Sequence, residues 1–253
     1  MEKPWSKEET IIAFNVYCKI PFKDSRKTNP LVVKYARLLG RSPSALNMKI
    51  GNIGRLDPEL RRRGITGLAH GAKLEEEVWN EFCTNPDEFA FESERLLAKL
   101  SGASVESLAG ADTADLPVGK ERMAVVRQRV NQSFFREAVV SAYGFRCCIS
   151  GVGCKELLEA CHIVGWSQDV RNRVNPSNGL CLNPFFHKAY DNLLVSITPE
   201  YRIVVSDELI EKTHEASFKS YLYGLDGQKI ALPDKFYPGK DFLAAQYHRF
   251  VNK

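Results

Sequence analysis

Apolar positions recur with a helical period through the first hundred residues. In WSKEETIIAFNVYCKIPF, Ser6 stands as an N-cap and Glu9 follows at capping-box spacing, so the pattern predicts a helix that stops before Pro21. In NPLVVKYARLLGRSPSALNMKIGNIGRLD, Asn29 before Pro30 opens one helix, Gly40 ends it, and Ser42-Pro43 opens the next. That is the layout of a helix-turn-helix, with SPSALNMKIGNI in the place of the second helix. GAKLEEEVWNEFCTNPDEFAFESERLLAKL continues as another helical stretch, acidic on its outer positions and apolar through Val78, Trp79, Phe82, Leu96 and Leu97.

The pattern then breaks. SGASVESLAGADTADLPVG, residues 101–119, is small and polar with few anchors for a core, and reads as a mobile linker. Beyond it, RVNQSFFREAVVSAYGFRC predicts a helix ending at Tyr143-Gly144, and CCISG, LLEACHIVGW and NLLVSITPEYRIVVS have strand character. The organisation expected is therefore a helical domain over 1–100, a linker over 101–119 and a second domain over 120–253. Within LLEACHIVGWSQDV, His162 occupies a position where a half-buried strand would normally carry Val or Ile. It is either a satisfied core imidazole or a reactive group held on a rigid strand.

Composition narrows the class. Of 253 residues, 44% are hydrophobic and 26% charged, which argues against disorder and against a fibrous chain. No run approaches the roughly 18 apolar residues of a spanning helix, and MEKPWSKEETIIAF is not a basic stub before an apolar block. A cytoplasmic protein with no membrane partner is expected. Seven cysteines, an odd count, suit a reducing compartment better than a disulfide framework. A net charge of +4 permits nucleic-acid binding without demanding it. Arg61, Arg62 and Arg63 lie close after Arg55, and Lys120, Arg122, Arg127, Arg129 and Arg136 mark an amphipathic stretch. Each cluster is either a solvated helix face or a surface for phosphates.

His162 gains meaning from residues further along the chain. Asn178 comes in NPSNGLCLNPFFHKAYDNLL, then His187, then Asp191 four residues further on. If PFFHKAYD is helical, positions 187 and 191 share a face one turn apart, where a histidine and a carboxylate can hold one divalent metal. A strand-borne histidine, a loop asparagine and a helix-borne histidine form a β-β-α arrangement.

These residues resemble the His-Asn-His (HNH) nucleases, whose compact ββα-metal unit cuts phosphodiester bonds. More narrowly, YGFRCCISG, LLEACHIVGWS and NPSNGLCLNPFFHKAYDNLLVSI are similar to the restriction-endonuclease-like branch, and the likeness runs from about Gln132 to the C-terminus. The first hundred residues resemble, more weakly, the helical halves that accompany such domains in bacterial endonucleases. The resemblance implies an α+β fold: a helical N-terminal domain followed by a C-terminal ββα-metal nuclease domain. It implies a DNA endonuclease in bacterial restriction or phage defence, with the N-terminal domain reading sequence, modification or a partner.

Phosphodiester hydrolysis needs a proton acceptor near pH 7 and charge relief at phosphorus. The resemblance gives His162 the role of base, Asn178 an orienting role within the catalytic trio, and His187 with Asp191 the metal, expected as one Mg²⁺ or Mn²⁺. Arg146, from the Arg-Cys pair, joins Arg61, Arg62 and Arg63 as nucleic-acid-binding. Double-stranded DNA is the expected partner, and with one site per chain a two-fold homodimer cuts both strands most simply. Many family members carry Asp or His immediately before the base, where this chain has Cys161, so the ion is expected to have fewer protein ligands. That departure sustains the alternative of a helix-turn-helix DNA-binding protein with an inactive HNH module. Cys147, Cys148, Cys154 and Cys181 lack any Cys-x-x-Cys pair, which argues against a structural zinc. His70, His214 and His248 have no comparable company and read as structural or surface residues.

Overall fold

A computed structural model of the chain describes residues 3–65, 73–108 and 120–253. The first part is a stack of helices: α1 (Lys7–Lys19), α2 (Pro30–Leu38), α3 (Pro43–Gly54), the short α4 (Pro58–Arg62), α5 (Lys73–Thr84), α6 (Pro86–Ser101) and α7 (Val105–Leu108). Ser6 and Glu9 form the reciprocal capping box that the sequence announces, and Asn29 and Ser42 cap α2 and α3. The stretch expected as helical over 71–100 forms two helices among its described residues. Asn85 is non-helical and Pro86 starts α6, because proline accepts the first helical position but not an interior one.

The linker expected over 101–119 also begins differently. Ser101 still belongs to α6, Gly102 ends that helix in the left-handed conformation, and α7 comes next, packed between α6 and α8. Residues 109–119 and His70 lie outside the described residues. Among the described residues no helix is long and apolar enough to cross a membrane.

The second part opens with α8 (Lys120–Ala142), then β1 (Glu159–His162), β2 (Gly179–Leu182), α9 (Pro184–Asp191), β3 (Val195–Ile197), β4 (Ile203–Val205), α10 (Asp207–Glu211), α11 (Ala216–Leu225) and α12 (Lys240–Val251). β1 pairs antiparallel with β2, setting His162 opposite Gly179, and β3 pairs antiparallel with β4. CCISG, expected as a strand, is a turn: Gly151 N–H closes onto the Cys147 carbonyl at 2.9 Å, with Gly151 at a φ of 74°. The glycine makes that turn possible, so the apolar residues around it pack without extending.

Two hydrophobic cores lie on either side of α8. Phe134, Ala138 and Ala142 face the first, with Phe14, Tyr17, Phe82 and Phe89; Phe135, Val139 and Val140 face the second, with the strands and α9. The C-terminal part also reaches into the first core. Phe236 stacks on Trp79, and the buried Lys235 ammonium donates to the carbonyls of Tyr17, Cys18 (3.1 Å) and Ile20 (2.7 Å). Lys235 thereby caps the C-terminal end of α1, where orphan carbonyls and the helix dipole favour a cation. Burial lowers its pKa to about 8, so it stays charged at neutral pH.

Candidate active site

The β1–loop–β2–α9 unit gathers the residues singled out from the sequence. Side chains alternate along β1, so Cys161 and His162 leave opposite faces of the strand. His162 turns toward α8, where its ring lies on Phe135 with centroids 3.9 Å apart and planes 9° apart; Trp166 meets it edge-on at 5.6 Å. Its Nε2 lies 2.7 Å from the carbonyl oxygen of Arg173. A carbonyl only accepts, so Nε2 carries the proton and Nδ1 presents a lone pair. Burial lowers the His162 pKa, an effect opposed by the Arg173 hydrogen bond, and the neutral, proton-accepting ring is favoured. The histidine is thus neither an apolar stand-in nor a fully enclosed core group.

Asn178 is fully buried just before β2. Its Oδ1 accepts from Val164 N–H at 2.8 Å, and its Nδ2 donates to the carbonyls of Val164 at 3.0 Å and Asn172 at 3.3 Å. All three of these bonds go to the segment between β1 and β2 that carries Arg173. It is a positioning residue: it fixes the loop whose carbonyl orients His162.

Gly179 permits the close approach of β2 to α8. A Cβ there would clash with Val139 Cγ2 and lie 2.9 Å from Phe135 Cζ.

His187 and Asp191 fall one turn apart on α9, which Asn183 caps through its Oδ1. His187 Nε2 is 3.5 Å from Asp191 Oδ2, and His187 Nδ1 is 2.5 Å from Glu159 Oε2 on β1. With Glu159 accepting the Nδ1 proton, Nε2 is left as the ligand atom. From the other side, Cys161 Sγ approaches Asp191 Oδ1 at 3.9 Å. Burial pushes the Cys161 thiol well above its usual range, and the Asp191 carboxylate adds to the rise.

One ligand atom from each of Cys161, His187 and Asp191 lies within 4.8 Å of the others. Three donors of this chemistry this close together fit a divalent metal. Cys161 therefore joins the expected pair, and the ion would have more protein ligands than the sequence alone suggests.

A cavity of about 370 Å³ opens over the site, lined by Gln132, Phe135, Arg136, Glu159, His162 and His187 among others. Arg136, noted in the sequence only as one cation of a cluster, sits here with Nη2 bonded to the Leu158 carbonyl at 2.7 Å. Glu159 and Phe135 escaped sequence reading. The signal for Glu159 was available in the alternation of β1, which puts it on the same side as Cys161.

The other basic residues are arranged differently from one another. Arg61 and Arg146 are exposed, Arg62 pairs with Glu59 at 2.5 Å, and Arg63 donates to the Asp234 carbonyl at 3.0 Å. None of the four lines the cavity over His162. In α3, the second helix of the helix-turn-helix layout, the sole cation is Lys49, buried in an ion pair with Glu75 at 2.6 Å. Cys147, Cys148 and Cys181 are buried in the second core, whereas Cys154 is exposed beside Glu156. His214 and His248 are exposed.

Residues 147–198 match a family described as HNH endonuclease, and the match spans the turn at Cys147, both strands of the site, α9 and β3. No curated protein matches the chain. The matched family points to nuclease chemistry on DNA with a divalent metal.

Proposed function

We propose that the chain is a metal-dependent endonuclease that hydrolyses phosphodiester bonds in double-stranded DNA, acting as a homodimer in bacterial restriction or phage defence. Residues 120–253 carry the chemistry, and residues 1–100 serve recognition. The observation that carries this reading is that His162, oriented through Nε2 by the Arg173 carbonyl, and His187, one of the Cys161, His187 and Asp191 donors, line the same cavity.

His162 Nδ1 accepts a proton from the attacking water, while its Nε2–H stays engaged with the Arg173 carbonyl. Phe135 holds the ring face, so the lone pair keeps its direction as the charge develops. Asn178 holds the loop, and Arg136, at the cavity wall, is placed to meet a phosphate oxygen. Cys161, His187 and Asp191 would hold the divalent ion, which when bound relieves charge on the phosphate and the departing oxygen. Against the alternative of an inactive module beside a helix-turn-helix reader stand the Arg173 carbonyl that orients His162, the nearby Cys161, His187 and Asp191 donors, and the burial of Lys49, the sole cation of α3.

The test is incubation of the full-length protein with supercoiled plasmid and phage DNA, modified and unmodified, with Mg²⁺, Mn²⁺ or Zn²⁺ and with EDTA. Cleavage that EDTA abolishes supports the reading. Intact DNA with every ion would overturn it.

A further inference from the structure

We infer that the ion taken by Cys161, His187 and Asp191 is zinc, or a transition ion of similar softness, rather than the magnesium that the family resemblance suggests. The inference rests on the nuclease reading only for the place of the ion and names its chemical class from the donors themselves. A cysteine sulfur, an imidazole nitrogen and a carboxylate oxygen form a mixed sulfur, nitrogen and oxygen set. Mg²⁺ takes hard oxygen ligands in near-ideal octahedra and keeps several waters, and sulfur is a poor ligand for it. Zn²⁺ in catalytic sites takes three protein ligands of this kind and leaves a fourth position open.

The spacing agrees. Zinc–sulfur bonds of about 2.3 Å and zinc–nitrogen or zinc–oxygen bonds of about 2.0–2.1 Å, at tetrahedral angles, separate ligand atoms by roughly 3.3–3.7 Å. Cys161 Sγ stands 3.9 Å from Asp191 Oδ1, slightly beyond that range, and His187 Nε2 stands 3.5 Å from the other carboxylate oxygen, Oδ2, so a small turn of the exposed Asp191 carboxylate would bring one oxygen to both.

The surroundings support the same ion. Glu159 accepts from His187 Nδ1, the carboxylate–histidine–metal relay that fixes the ligand tautomer in zinc sites. Cys161 is fully buried on a paired strand, so its sulfur is held in position, while the half-exposed Asp191 leaves a way in. This site is distinct from the structural zinc that the spacing of Cys147, Cys148, Cys154 and Cys181 argues against, since it uses none of those thiols.

The experiment uses the metal-stripped full-length chain in a Cys83→Ser, Cys154→Ser background, which removes the two exposed thiols. Co²⁺ is titrated as a spectroscopic stand-in, and displacement by Zn²⁺ and by millimolar Mg²⁺ is monitored by absorbance.

The expected result is a single tetrahedral cobalt site with a sulfur-to-cobalt charge-transfer band, displaced by one equivalent of Zn²⁺ and unmoved by Mg²⁺. Cys161→Ser should lose that band and bind at least about tenfold more weakly while its circular dichroism is unchanged. Asp191→Asn, at an exposed position, should keep the band and weaken binding, which guards against a folding defect at the buried cysteine.

A pale octahedral cobalt complex without the sulfur band, or ready displacement by Mg²⁺, would overturn the assignment. Plasmid cleavage scored on the same samples separates the two ideas. Mg²⁺-driven cutting without the band sinks only the choice of ion, and a zinc-loaded protein that cuts no DNA sinks only the nuclease.

Discussion

Glu159 and His187 stand 28 residues apart in sequence and meet at 2.5 Å, strand to helix, so that a carboxylate on β1 sets which nitrogen of an α9 histidine faces the ligand cluster. Glu159→Ala should therefore weaken metal affinity by about 10–100-fold without touching the ion, and Glu159→Gln, which can still bond to the ring, should weaken it less. Competition titration with a chromogenic chelator measures both. Equal affinities in wild type and Glu159→Ala would show that His187 needs no such partner.

The lowered pKa of His162 has a direct kinetic consequence. A base is active when unprotonated, so activity rises as pH passes upward through its pKa. The acid limb of kcat/KM for DNA cleavage should fall below the 6.5 of an ordinary histidine. A limb at or above that value would mean that burial around Phe135 and Trp166 does not control the ring.

Gly179 carries a different sort of constraint. A methyl group there clashes with Val139 and meets Phe135 at 2.9 Å, and Phe135 bears the His162 ring. Gly179→Ala should destabilise the fold by about 1–3 kcal/mol and lower kcat more than it alters KM. Denaturant unfolding and steady-state cleavage, run on one preparation, check both parts.

How much of this was legible beforehand depends on whether the cause was local. The caps at Ser6, Asn29 and Ser42, the end of α1 before Pro21, and the helix bearing His187 and Asp191 arise from short-range chemistry that the sequence displays. The break at Pro86 was also displayed, but the apolar positions on either side of it run on as one pattern. CCISG misled because buried cysteines and isoleucine suit a packed turn as well as a strand, and Gly151 decides between them.

Long-range geometry was not legible. The alternation of β1 puts Glu159 on the side of Cys161 but does not announce its partner on α9, and nothing near Lys235 announces the end of α1. Cys161 read as a departure from the usual ligand, and only the approach of Asp191 makes it one of the donors.

Lys235 joins the two parts of the chain through three carbonyls at the end of α1. Lys235→Met keeps the stem but strands those acceptors in a buried site, at a cost of about 2–4 kcal/mol. Urea unfolding should show that loss as a lower midpoint in a single transition, because α8 serves both cores. A midpoint unchanged from wild type would mean that the carbonyls find water instead.

The role of His162 as the base of a DNA-cutting site is measured most directly by the cleavage rate of supercoiled plasmid by wild type and His162→Ala at matched, saturating metal. The substitution removes the proton acceptor and leaves Cys161, His187 and Asp191 untouched, so metal binding should persist while the rate falls by about 10²–10⁴-fold. A folded, metal-loaded His162→Ala protein that cuts at the wild-type rate would contradict the account.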